Sequence, residues 1–296
     1  FFWFIQKALQ FLNLLSQDSM EHILLVKINS TALDFLLLFL DLHTTSDRIC
    51  AEDNKETKMN KNIAIIGASG AIGNAFIEYY SNDQSVKTVY AFSRKNQSYE
   101  NEKIKSFELD IEDHNSIQEA ALNIGDCYLD HIIVATGILH SENFGPEKSI
   151  KDIDDKTMKK VFGINTIGPA LVGKYFIPLM RKDLKSVLAF LSARVGSISD
   201  NKLGGWYSHR ASKTALNQII KNFSIELKRT NPNAIVLGLQ PGTVDSNLSE
   251  PFKKNVAKGK LFTPEQSREL LSNVIENATI NDSGNLLAYD GETIVP

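Results

Sequence analysis

"IAIIGASGAIGNAF", residues 63–76, decides the fold. The leading apolar run reads as a buried strand, after which Gly67, Gly70 and Gly73 carry the chain through a turn and into a helix. Glycines at such a turn put no Cβ between the backbone amides and an approaching pyrophosphate, and the helix dipole presents its positive end there. A plain strand-to-helix turn also uses glycine, but the position after the first strand favours a nucleotide cradle. Gly67, Ser69, Gly70, Ile72 and Gly73 are its expected contacts.

Outward from this loop, short runs rich in Ile, Val and Phe alternate with helical stretches, the pattern of repeated βαβ units on a parallel sheet. Strands are expected at about 62–67, 86–92, 105–109, 130–135, 186–192 and 234–240, with a short last one near 286–288. The fold class that follows is α/β: a doubly wound, Rossmann-type parallel sheet flanked by helices, in a single domain over 59–296. In the longest helix Ala211, Ala215, Ile219, Phe223 and Leu227 recur every four residues, a stripe expected to pack inward.

The 296 residues, 43% hydrophobic and 23% charged, suit one large globular domain. A net charge of −3 supplies no basic field, so neither nucleic acid nor an anionic membrane is an expected partner. Cys50 and Cys127 are too few for a disulfide scaffold and fit a reducing cytoplasm. Within residues 1–58 the runs "FFWFIQKALQFLNLL" and "ALDFLLLFLDL", broken by Lys7, Asp34 and Asp41, fall short of the roughly 20 apolar residues that cross a bilayer. No basic start or small-residue cleavage pattern marks a secretory signal. "MNKNIAIIG" from Met59 reads like a natural start, and residues 1–58 are expected to be an extension outside the domain.

The Gly-x-x-Gly-x-x-Gly spacing of the loop, "VATG" at 134–137, "GINTIG" at 163–168 and "QPGTVDS" at 240–246 resemble the short-chain dehydrogenase/reductase family over essentially all of 61–296. "SARVGSISDN", "GGWYSHRASKTALN" and "PGTVDSNLSEPF" resemble more narrowly its C-factor-like branch. The resemblance implies hydride transfer between a nicotinamide and a small carbonyl or alcohol substrate. It also implies roles for particular residues. Lys213 binds the nicotinamide ribose, Asn165 supports a water relay, and a serine holds the carbonyl oxygen. Ser192 at the end of the fifth strand is the first candidate for that serine. The position directly after it is Ala193, so Ser197 remains a rival, and either could instead satisfy a local turn. Ala135, Gly137, Asp110, Pro241, Gly242 and Val244 fall at cofactor-contact positions, although Asp110 could equally be a helix N-cap ahead of "IEDHNSIQEA". Relatives assemble as dimers or tetramers through the helices that carry Asn165 and Lys213, so a homodimer or homotetramer is expected.

At the end of the second strand, "SRKN" puts Arg94 where a ribose 2′-phosphate would lie and supplies no carboxylate for a free 2′-hydroxyl, which points to NADP(H). A solvated basic turn is the plain alternative.

The family's proton-transferring tyrosine, four residues before the lysine, is replaced by His209. Tyr207, two residues earlier, lies about 200° round the helix and cannot substitute; with Trp206 it is expected to shape the substrate pocket. Histidine can donate a proton as imidazolium, but the Lys213 ammonium should lower its ordinary pKa of about 6.5. Three outcomes stay open: an acid whose rate rises as pH falls toward 6, a lesion in a competent reductase, or a protein that binds NADP(H) without turnover. Segments 138–153 and 245–263 are expected to close over the substrate.

Overall fold

A computed structural model describes residues 60–257 and 259–296, which belong to one compact unit. The expectation for residues 1–58 lies outside the described residues.

Strand β1 (Lys61–Ile66) turns at Gly67 into helix α1 (Ala71–Asn82), and β2 (Val86–Ser93), β3 (Ile104–Glu108), α2 (His114–Leu122) and β4 (His131–Val134) follow. The chain then runs through α3 (Asp155–Phe162), a π-helical turn (Gly163–Ile167), α4 (Gly168–Phe176) and β5 (Ser186–Leu191). Helix α5 (Tyr207–Thr230), β6 (Ala234–Gln240), β7 (Thr243–Val244), β8 (Leu261–Phe262), α6 (Pro264–Asn277), β9 (Leu286–Ala288) and β10 (Thr293–Ile294) complete it. Every expected strand is present within a residue or two of its predicted bounds.

The main sheet has the order β10-β9-β6-β5-β4-β1-β2-β3 and is parallel apart from the β9–β10 pair. Because side chains alternate along a strand, Ile63 and Ile65 enter one core while Ala64 and Ile66 enter the other. Strands buried on both faces read as continuous apolar runs, which is why β1, β5 and β6 were legible. The chain order reverses between β1 and β4, and the crevice beyond the carboxyl ends of strands at such a switch is where α/β sheets take ligands.

The α5 stripe needs correction. Its buried face is His209, Lys213, Leu216, Ile220, Ser224 and Leu227; Ala211 is exposed, while Ala215, Ile219 and Phe223 are only partly buried. A strict four-residue repeat gains about 40° per step on a helix of 3.6 residues per turn, so a long series must leave the buried face. Alternating steps of three and four stay on it.

Candidate active site

Gly67 adopts φ +93°, a left-handed conformation open to glycine, and its N–H and that of Ala68 both donate to Phe92 O at 2.9 Å. A Cβ on Gly67 would stand 2.9 Å from Ala135 O, and one on Gly73 would meet Gly67 O at 2.2 Å. The first and third glycines therefore let the loop, the start of α1 and the turn after β4 close on one another. Helix α1 begins at Gly70 with no side-chain cap, and its first bond of helical span is Asn74 N–H to Gly70 O. Gly70 N–H donates to Gly67 O, which leaves the amides of Ala71, Ile72 and Gly73 in the first turn as an open donor set of the kind that binds phosphate. Ser69 is exposed beside them and Ile72 half-buried. Two buried polar atoms at this edge, Thr136 Oγ1 and Gln240 Oε1, have no protein partner. These features fit a bound dinucleotide.

The flanking expectations land on the same edge. Arg94 is exposed immediately after β2 and makes no ion pair among the described residues. Asp110 follows β3, where its Oδ1 accepts the Glu112 N–H at 3.0 Å. It does not cap α2; Asp113 does, accepting the Asn115 N–H. Ala135 N–H donates to Ile66 O at 2.7 Å, and Gly137 sits at the tip of that turn. Pro241 and Gly242 form the turn from β6 into β7, which holds Val244, and Pro241 O accepts from Ser267 Oγ.

Asn165 lies in the π-helical turn, completely buried. Such bulges concentrate at functional sites because they re-aim a side chain out of helical register. Its Oδ1 accepts the Ile138 N–H at 2.8 Å; its Nδ2 donates to Ile138 O at 2.9 Å and to Ser212 Oγ at 3.1 Å. A Cβ built on Gly137 would be 3.5 Å from Asn165 Oδ1 and 3.6 Å from Lys213 Nζ. His209 reaches the same place from α5, its Nδ1 at 3.0 Å from Ile138 O. Asn165, Lys213 and His209 thus converge on the Gly137–Ile138 turn.

Both titratable members are buried. Desolvation lowers Lys213 to about 8, and its Nζ donates to Leu191 O at 2.8 Å. His209 is lowered to about 3, first by desolvation, then by the Lys213 charge, against a small opposing effect of Ile138 O. The sequence pointed to Lys213 as the cause; burial proves the larger one, and it leaves the acid form scarce at pH 6 as well as at pH 7.

The serine positions are more constrained than the sequence implied. Ser192 Oγ donates to Asn217 Oδ1 at 2.6 Å, one turn beyond Lys213 on α5. Ser197 Oγ accepts the Asp200 N–H and lies 3.4 Å from Ser199 Oγ. Neither bonds to Asn165, His209 or Lys213.

Several contributors escaped sequence reasoning. Buried Glu147 accepts from the Ser208 N–H and hydroxyl at the first turn of α5, and its carbonyl accepts the Trp206 N–H. Trp206, at φ 51°, packs edge-on to His209 with ring centres 6.2 Å apart. Phe252, from the segment after β7, packs 5.1 Å from Trp206, and His140 bonds the carbonyls of Asn247 and Leu248. The two segments expected to close over the substrate therefore meet above His209. Nothing in the sequence pairs them, because the contact joins loops more than 100 residues apart. Asn217 was findable, standing four residues after Lys213 on the same helix face.

Such a sheet, with a glycine loop at its switch point, defines a Rossmann-type protein. The chain belongs to the short-chain dehydrogenase family, an oxidoreductase family, whose model matches residues 61–257. An uncharacterized oxidoreductase of Schizosaccharomyces pombe is 25% identical over 257 residues, covering 80% of this chain and 98% of that one. The C-signal of Myxococcus xanthus is 30% identical over 147 residues, covering 49% of this chain and 82% of that protein, in keeping with the narrower resemblance. The crystal structure of NADPH-bound carbonyl reductase from chicken fatty liver shares the fold, with a TM-score of 0.69 at 22% identity over 80% of this chain and 94% of that one. Among the described residues no helix is long and apolar enough to cross a membrane, and no cluster of side chains could hold a metal ion.

Proposed function

We propose that this protein is an NADP(H)-dependent oxidoreductase that moves hydride between the nicotinamide and a small carbonyl or alcohol substrate, with His209 where the family has its tyrosine. The convergence of Asn165, Lys213 and His209 on the Gly137–Ile138 turn, beside an uncapped glycine cradle, carries this reading. The cofactor, when bound, accepts or supplies the hydride. Around it the open amides of α1 take the pyrophosphate, Arg94 takes the 2′-phosphate as a planar charged fork, and Lys213 takes the ribose. The NADPH held by the chicken carbonyl reductase supports the choice of cofactor. Asn165 fixes the Ile138 peptide that faces His209, and Trp206, Phe252 and His140 shield the site from water. Ser192 can donate to the substrate oxygen only by releasing Asn217. Assembly as a homodimer or homotetramer, through the helices bearing Asn165 and Lys213, is supported by exposed Ile167 and Ile225 on those elements. A cytoplasmic location belongs to the same reading.

A second reading, an NADP(H)-binding or signalling protein without turnover, is favoured by the burial of His209 beside the Lys213 cation, which holds the ring well below its usual pKa and short of a proton to donate at neutral pH. Titration of the full chain with NADPH and NADH, followed by NADPH oxidation across a carbonyl panel, separates the two. Tight NADPH binding with turnover supports the oxidoreductase, and binding without turnover supports the second reading.

A further inference from the structure

We infer that His209 stands in the site as a neutral imidazole with its proton on Nδ1, so that Nε2 is a proton acceptor and the substrate it serves is an alcohol. This rests on the redox reading of the site and adds its direction.

The hydrogen bonds around residue 209 leave one consistent assignment. Ile138 O can only accept, and two nitrogens approach it: Asn165 Nδ2 at 2.9 Å and His209 Nδ1 at 3.0 Å. Ile138 N–H, donating to Asn165 Oδ1, fixes which way the amide faces. Both hydrogens on Asn165 Nδ2 are then committed, one to Ile138 O and one to Ser212 Oγ, whose own proton goes to His209 O at 2.8 Å. The 3.4 Å approach of Asn165 Nδ2 to His209 Nδ1 therefore brings no hydrogen to the ring. An unprotonated Nδ1 would set its lone pair against those of Ile138 O, so Nδ1 carries the proton. Nε2 has no hydrogen-bond partner among the described residues and is the ring nitrogen left free for a substrate.

A second proton has little to hold it. Lys213 and Arg210 on the same helix are both cationic, the π-helical turn contributes neutral Asn165, and the 138–148 segment offers the Ile138 carbonyl. Trp206 and Phe252 are uncharged, His140 lies beyond Phe252, and Glu147 is engaged by Ser208. Burial and Lys213 lower the ring to about 3.

The reaction that matches this state is oxidation of an alcohol. The substrate O–H proton passes to Nε2, the carbinol C–H leaves as hydride to an oxidised nicotinamide bound as co-substrate, and the C–O bond becomes a carbonyl. Imidazolium then returns its proton to water. Carbonyl reduction needs imidazolium beforehand, so its rate must fall about tenfold for each pH unit above the ring pKa, while oxidation stays level.

The test uses the full chain with ¹⁵N-labelled histidine. At pH 7, without cofactor, the residue 209 resonance should show a protonated Nδ1 and an unprotonated Nε2, and should not move down to pH 5. Its loss in His209→Gln identifies it; should that variant fail to fold, variants at the other histidines identify it by elimination. An Nε2–H tautomer, or imidazolium by pH 5, overturns the inference. Between pH 5 and 7, below the Lys213 titration, kcat/KM for secondary-alcohol oxidation with NADP⁺ should be flat while NADPH-driven carbonyl reduction falls about 100-fold. A flat reduction profile also overturns it. Failure to bind NADPH in a parallel titration sinks the redox reading and the alcohol substrate with it, while the tautomer, read without cofactor, is tested on its own.

Discussion

Replacing His209 with tyrosine should raise NADPH-dependent carbonyl reduction. With a pKa of about 3, His209 is protonated in roughly one molecule in 10⁴ at pH 7, a handicap of about 5.5 kcal/mol against a fully protonated acid. A phenol, with an ordinary pKa near 10, is protonated at the same pH, and a placed general acid is worth roughly 10² to 10⁴ in rate. His209→Tyr should therefore raise kcat for NADPH-dependent carbonyl reduction at pH 7 by about 10²-fold or more. The dissociation constant for NADPH should barely change, because Lys213 carries the ribose contact in this account. The exchange removes the bond from Nδ1 to Ile138 O, costing about 1 kcal/mol and lowering the unfolding midpoint by a few degrees. The assay is loss of reduced-nicotinamide absorbance across a panel of aldehydes and ketones, with a thermal melt beside it. A folded tyrosine variant that binds NADPH and gains nothing on any carbonyl would refute the reasoning.

Arg94→Ala should weaken NADPH by about 1.5 to 3 kcal/mol and leave NADH nearly unchanged in a binding titration; equal losses would make Arg94 structural. His131, buried against the Tyr80 hydroxyl, is lowered to about 3 like His209, so in the unfolded chain both take a proton first as pH falls. The stability that each neutral ring contributes is complete above pH 6.5 and is lost as pH falls toward 3, at up to about 1.4 kcal/mol per pH unit per histidine. Urea midpoints measured between pH 7 and 4 should fall accordingly, and less steeply in His131→Gln. Ser192→Ala should cost stability of about 1 kcal/mol, by orphaning Asn217 Oδ1, and reduce kcat by less than about tenfold; a loss of 10² or more would return Ser192 to the substrate oxygen.

The fold was legible because strands buried on both faces are written as unbroken apolar runs, and because the glycines of 67–73 stand where only a missing Cβ lets three backbone segments close. Lys213 and Asn165 were legible through local spacing and a family resemblance. The burial of His209 was not, since it depends on the segments carrying Ile138, Trp206 and Phe252 folding over it from different parts of the chain. For the same reason the sequence assigned the depressed pKa to the visible neighbour, Lys213, when desolvation dominates. Ser192 was placed correctly at the edge of β5, but the direction of its hydroxyl follows from Asn217 on another element. Asp110 lost its capping role to Asp113 by three residues, a difference that helix-start composition alone does not resolve.

The most direct measurement follows deuterium from carbinol-deuterated secondary alcohols into the nicotinamide. Incubated with the full chain and NADP⁺ at pH 7, the label should appear in the reduced cofactor by mass spectrometry, and should vanish with Lys213→Met. Tight NADP⁺ binding with no label transferred from any alcohol, or transfer that survives loss of Lys213, would contradict the account.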